Sequence, residues 1–247
     1  MARLPRLAVA GLPHLVALYG HSAQPVFVDD EDRRHFLAAL RESALLQRVA
    51  VHAYVLLDDH VHLLLTPATG DALGPLMQGL GRRYGAAFNR RHGRRGALWA
   101  GRFRATVVQP GTPLAEAMLF IDHHPVRSGL VAAAPDYAWC SARHHGGAVR
   151  DALITECGAW WALGNTPFER EAAYRRLLAD GLPAPRAAAL AEAGRTGWPA
   201  GDPAFLAKLA QQAARPVQPR PRGRPRATFT LFDVSPIKIA SDDKSDN

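Results

Sequence analysis

Apolar positions along this chain fall into short runs of two periods. His14-Leu15-Val16-Ala17-Leu18-Tyr19 reads as a strand closed by Gly20. Asp29-Asp30-Glu31-Asp32 then opens a helix, because acidic side chains suit a helix N-terminus, and Phe36, Leu37, Leu40 and Ala44 follow at helical spacing. Val49 to Leu57 is rich in β-formers. Asp58-Asp59 is a turn signal, and His60 to Leu65 returns as the hairpin partner before Pro67.

The pattern continues with a helix over residues 71–91, where Leu73, Leu76, Met77 and Leu80 share a face. A glycine-punctuated loop from Gly93 to Gly101 precedes a strand near Phe103 to Val108. Thr112 as N-cap with Pro113 at the first helical position predicts a helix to His124, stopped by Pro125. This order predicts an α+β fold: a ferredoxin-like antiparallel sheet with helices on one face. Residues 1–149 form the expected core domain. Residues 150–214 carry helical patterns (Glu169 to Ala179, Pro185 to Ala193, Ala204 to Ala213) and read as a helical appendage. Residues 215–247 read as a basic Pro/Arg linker and a disordered tail, whose last twenty residues hold two Lys against four Asp.

Charge narrows the choice of partner. A net charge of +8 points to a polyanion, nucleic acid or an anionic surface. Of the 30 basic residues 27 are Arg, which suits bidentate phosphate contacts, although a GC-rich genome gives the same bias. Cys140 and Cys157 make neither a metal cluster nor a disulfide framework, so a reducing cytoplasm is expected. Pro13 and His14 interrupt the apolar N-terminal stretch and no charge-free run of 18 residues exists, so no membrane partner is expected.

The candidate chemistry begins at His60-Val61-His62. Alternate residues of a strand share a face, so these imidazoles point the same way, about 7 Å apart, and suit one metal ion. The other reading is a pair of core histidines satisfied by backbone groups. His124, at the end of the Phe120-Ile121-Asp122-His123-His124-Pro125 segment, offers a third ligand or a cationic helix C-terminal cap; His123 faces elsewhere, toward the surface. Three imidazoles favour Zn²⁺, Co²⁺ or Ni²⁺. Residues 82–104 hold eight Arg (Arg82, Arg83, Arg90, Arg91, Arg94, Arg95, Arg102, Arg104) and no acid, interleaved with Tyr84, Phe88, Trp99 and Phe103. Guanidinium groups on phosphates and rings on bases suit single-stranded DNA; a solvated basic helix end is the alternative. Pro221-Arg222-Gly223-Arg224-Pro225-Arg226 is either an AT-hook-like segment or a basic linker.

With these elements placed, the chain resembles the REP-associated tyrosine transposases, a branch of the HUH single-strand transposases of bacterial insertion sequences. The resemblance rests on Met1 to Arg6, Gln24-Pro25-Val26-Phe27 with Asp29 to Asp32, and His52-Ala53-Tyr54-Val55-Leu56 leading to His60-Val61-His62-Leu63-Leu64. It continues through Gly81-Arg82-Arg83-Tyr84, Phe88 to Gly93, Leu98 to Arg104, Pro125 to Val131, Asp136 to Ser141 and Gly223 to Arg226. It implies a core HUH transposase-like domain, recognition of a single-stranded or hairpin DNA repeat, and Mg²⁺ or Mn²⁺ on the two HUH histidines plus a polar residue of the last core helix. It also implies a tyrosine, one turn before that polar residue, that attacks a DNA phosphodiester.

Matched position by position, that tyrosine falls on Phe120 and the polar ligand on His124, where Asn is usual. Asp58-Asp59 replaces a usual Pro-Asn, and Tyr19-Gly20-His21 stands for a usual Arg-Gly-Asn. The expected function is therefore DNA transposition by strand cleavage and transfer, with the attacking oxygen missing at Phe120. Residues i and i+4 share a helix face, so Phe120 still points where a nucleophile stands. The alternative is a metal-dependent nuclease or hydrolase on His60, His62 and His124 that uses water or another tyrosine. Tyr84 and Tyr137 are the candidates for that role, each more consistent with packing or stacking.

Overall fold

The computed structural model describes residues 5–219. Four strands form one antiparallel sheet in the order β2-β3-β1-β4: β1 (His14–Tyr19), β2 (Val49–Leu57), β3 (His60–Pro67) and β4 (Arg104–Val107). Between β1 and β2 runs α1 (Asp30–Gln47), and between β3 and β4 runs α2 (Leu73–Arg91). This is the ferredoxin-like α+β arrangement that the element order predicts.

The near-continuous apolar strands signify burial on both faces. Val16, Leu18, Val61, Leu63 and Leu65 pack against Phe36 and Leu40 of α1 and Leu76 and Leu80 of α2. The opposite face, presenting Leu15, Val55 and Leu64, is also covered, which the one-face expectation did not include. There α3 (Thr112–Asp122) lies with Trp160, Tyr174 and Leu190, the last three from α6 (Gly158–Trp161), α7 (Pro167–Asp180) and α8 (Ala184–Thr196). The helical segments after residue 150 thus contribute to the second core.

One residue sets which side chains of β2 face which core. The pairing register of β2 and β3 shifts between Val51 and Ala53, so His52 is a bulge. Before it Val49 and Val51 face the α1/α2 core, and after it Tyr54 and Leu56 do, leaving Ala53, Val55 and Leu57 for the other. His52 is pinned there: its Nδ1 donates to the Thr155 carbonyl at 2.7 Å, and its Nε2 accepts from the Thr66 hydroxyl at 2.8 Å. The free edge of β2 is capped by irregular chain, Leu56 N–H donating to Trp139 O and Thr155 N–H to Val51 O.

The end of α3 departs from expectation in a way that matters for the site. Gly111, at φ 87°, rather than Thr112, is the N-cap residue. The helix ends at Asp122, not His124, and Pro125 does not stop the chain. His124 and Pro125 instead open a separate turn, α4 (His124–Arg127), with Pro125 in its first positions. Proline lacks the N–H that a continuous helix would bond to Ile121, yet it is well accommodated at a helix start. His123, at this break, is half-buried beside Gly181 rather than on the surface.

Candidate metal centre and its basic surround

Leu64 belongs to the second core, so His60 and His62 on the same strand parity point to the face that α3 crosses. The break after Asp122 swings His124 toward them. Ring centroids are 5.3 Å apart for His60 and His62, and 5.1 Å for His124 with each. One ligand nitrogen from each residue lies within 4.8 Å of the others.

The hydrogen bonds around the rings decide which nitrogens are available. His60 Nδ1 donates to Asp59 Oδ1 at 2.6 Å, and His124 Nδ1 lies 3.1 Å from Ser128 Oγ. With the Nδ1 proton of His60 given to Asp59, its Nε2 lone pair faces His124 Nε2 at 3.2 Å, a gap that either a proton on His124 Nε2 or a shared cation bridges. The Nδ1 of His62 is buried without a partner among the described residues. Two nitrogen ligands about 2.0–2.1 Å from a tetrahedral ion stand about 3.3 Å apart, so the spacing fits a metal. Burial, aided by His124, His60 and Arg127, holds His62 well below the usual histidine range. Burial likewise brings His124 down to about 4. Both rings are therefore neutral near pH 7, the form that binds metal.

Phe120 sits beside the centre. Its ring is 5.8 Å from that of His62 and 6.1 Å from that of His124. The Arg127 guanidinium lies 4.3 Å over the ring and donates to the Phe120 carbonyl at 2.6 Å. The benzyl group carries no oxygen, so this position supplies apolar contact and nothing else. Tyr84 and Tyr137 lie away from the site, their hydroxyls donating to the carbonyls of Val26 and Leu56.

The arginines of residues 82–104 are not all equivalent. Arg91 is held by Asp29, Glu31 and the buried Asp32 at 2.6–2.8 Å, and Arg83 pairs with Glu42. Arg94 donates to Gln24 and lies over Phe88. Arg82, Arg90, Arg95 and Arg102 are exposed. Trp99 packs on Phe36 and Tyr84 at 6.1 and 6.0 Å, its ring facing the core. Arg104 alone of this set touches the metal face, its guanidinium 5.2 Å over the ring of Tyr19. Arg222 and Arg224 lie outside the described residues.

Sequence reasoning missed several neighbours of the histidines. Asp59 is visible in the sequence as a turn residue and a departure from the usual Pro-Asn, but its bond to His60 Nδ1 appears only in the structure. Tyr19 pairs with His60 across β1 and β3, and its ring stacks on His60 at 5.6 Å and 21°. Only the strand register reveals that proximity. Tyr19, Arg102, Phe103 and Arg104 line a cleft of about 320 Å³ that Arg6 and Arg215 also border.

No family model matches the sequence, and no curated protein is similar to it. Among solved structures, the chain is similar to a REP-associated tyrosine transposase bound to a REP hairpin. Identity is 14%, the likeness covers 64% of this chain and 93% of that one, and the TM-score is 0.52. A candidate transposase from Deinococcus radiodurans is 26% identical over 44% of this chain and 88% of its own, with a TM-score of 0.34. Among the described residues, no helix is long and apolar enough to cross a membrane. The chain thus has the fold of a REP-associated tyrosine transposase, with three histidines gathered on one face of its sheet.

Proposed function

We propose that this chain is a transposase-type protein that binds single-stranded or hairpin DNA at a divalent-metal centre made by His60, His62 and His124. The convergence of these three imidazoles, with His60 and His124 Nε2 atoms 3.2 Å apart, is the observation that carries the reading. A bound metal supplies Lewis-acid stabilisation of charge on a phosphate. The protein's part is to hold neutral imidazoles in place, Asp59 fixing the ring of His60. Exposed arginines near the cleft, Arg102 and Arg104 first, draw in the phosphate backbone, and the net charge of +8 adds long-range attraction. Phe120, with Arg127 stacked on it, leaves that position without an attacking oxygen.

The donor set bears on metal choice. Three nitrogens favour Zn²⁺, Co²⁺ or Ni²⁺ over Mg²⁺ and Mn²⁺. A three-histidine set with an open position also suits water activation, which supports metal-dependent hydrolysis as the second reading. Titration of the purified chain with Zn²⁺ and Mn²⁺, followed by anisotropy on labelled hairpin DNA at 50 and 200 mM salt, tests the first. One metal per chain is expected, with DNA affinity falling as salt releases counterions; a site that takes no divalent ion, or salt-insensitive binding, sinks it. The second reading predicts cleaved strands that carry free ends and no attached protein.

A further inference from the structure

We propose that Tyr19 is the nucleophile of this chain, supplying from β1 the phenol oxygen that Phe120 lacks. The inference rests on the reading of a DNA-binding metal centre. Tyr19 pairs with His60, so it faces the same side of the sheet. Its ring stacks on His60 at 5.6 Å and meets the edge of His62 at 6.2 Å, while Phe120 meets His62 at 5.8 Å. Tyr19 and Phe120 both contact His62, and only Tyr19 brings an oxygen.

Elimination points the same way. The chain has five tyrosines. The hydroxyls of Tyr54, Tyr84, Tyr137 and Tyr174 donate to Asp151, Val26 O, Leu56 O and Asp122, and each is thereby committed to the fold. The hydroxyl of Tyr19 has no hydrogen-bond partner among the described residues, and the residue is 37% exposed. That exposure opens the phenol to a ligand.

The surroundings suit a phosphodiester. Arg104 lies 5.2 Å over the Tyr19 ring, and Arg102 lines the same cleft, so guanidinium groups are placed to hold non-bridging phosphate oxygens. Gly20 fixes the direction of the strand end. A Cβ there would meet the Gln24 carbonyl at 2.2 Å, and its N–H donates to Asp59 O at 2.7 Å, tying Tyr19 to the turn that carries Asp59 and His60. In the reaction the phenol oxygen bonds to phosphorus as one bridging P–O bond breaks. The bonding pair leaves with the sugar oxygen, and the phenol proton ends on it, giving a phosphotyrosine and a sugar hydroxyl.

The full chain, loaded with Mn²⁺ or Zn²⁺, is incubated with labelled hairpin DNA bearing a single-stranded flank. Anisotropy follows binding, and denaturing gels and peptide mass spectrometry follow adducts. A DNA adduct mapping to Tyr19 is expected, falling by on the order of 10³-fold or more in Tyr19→Phe, which keeps the stacked ring, metal content and DNA affinity. DNA bound without an adduct at Tyr19, or an adduct that survives Tyr19→Phe, overturns the assignment and leaves the binding reading intact. Failure to bind DNA at either salt overturns both. A metal-free readout stands beside these: tetranitromethane should nitrate Tyr19 before the other four tyrosines, and hairpin DNA should protect it. Nitration that spares Tyr19, or that DNA does not slow, counts against the proposal.

Discussion

At the scale of single residues, the centre is defined by where protons are not. Asp59 accepts the Nδ1 proton of His60, which turns that ring's Nε2 lone pair toward His124, whose own Nδ1 lies beside Ser128 Oγ. Carboxylate partners of this kind orient a ligand ring and raise its basicity, and removing them costs about 10–100-fold in metal affinity. Asp59→Asn should therefore weaken Zn²⁺ binding by that factor in a chelator-competition titration, with little change in folding because Asp59 is about half exposed. An unchanged affinity would mean that His60 is not oriented by Asp59 in the bound state. His124→Asn tests the donor set from the other side. An amide oxygen in place of the third nitrogen should move preference from Zn²⁺ toward Mg²⁺ and Mn²⁺, read as the ratio of the two dissociation constants. A ratio that does not move would place the ion away from residue 124.

At the scale of elements, the site depends on how the end of α3 is anchored. Asp122, fully buried, accepts from the Ser141 hydroxyl, from His145 Nδ1 at 2.6 Å and from the Tyr174 hydroxyl at 2.7 Å. These partners come from the region of α5 (Ala142–His145) and from α7, so the later helices hold the residue two positions before His124. Removing one member of a buried charged network leaves its partners unsatisfied and costs about 3–5 kcal/mol. Asp122→Ala should lower unfolding stability by that amount in urea titrations; a loss below about 1 kcal/mol, the size of an exposed pair, would show that the network is not what anchors the helix. None of this was legible in the sequence. Strand bounds for β1 and β2 were, because short apolar runs rich in β-formers and their flanking turns are local signals, and β3 was short by two residues only. The histidine pair was legible for the same reason. The bulge at His52, the Asp122 cluster and the Tyr19–His60 stack depend on partners 14 to 103 positions away, for which a periodic pattern carries no information.

At the scale of the whole molecule, buried histidines link stability to pH. His14 is fully buried, its Nδ1 donating to Leu12 O at 2.8 Å and its Nε2 accepting from Val9 N–H at 3.2 Å. A second proton would abolish that acceptor, and burial brings this ring down to about 4. His52 and His62 are also lowered by burial, and His124 is brought to about 4. Each group binds a proton more readily when unfolded, so stability rises with pH across the interval between folded and unfolded values. The contribution of these neutral rings is complete above about pH 6.5 and is lost as pH falls, toward about 4 for His14 and His124; for His14 alone it amounts to about 3 kcal/mol. Urea midpoints of the metal-free chain should be level above pH 7 and fall steadily below 6.5, with His14→Gln flattening part of the slope. Zn²⁺ at a hundredfold excess over its dissociation constant should raise the unfolding free energy at pH 7 by about 2.7 kcal/mol. That gain should shrink as pH falls toward about 4 and His124 takes up a proton, because metal and proton compete for one set of lone pairs. If the metal-dependent gain stayed constant as pH fell through about 4, the ion would be bound somewhere other than His60, His62 and His124.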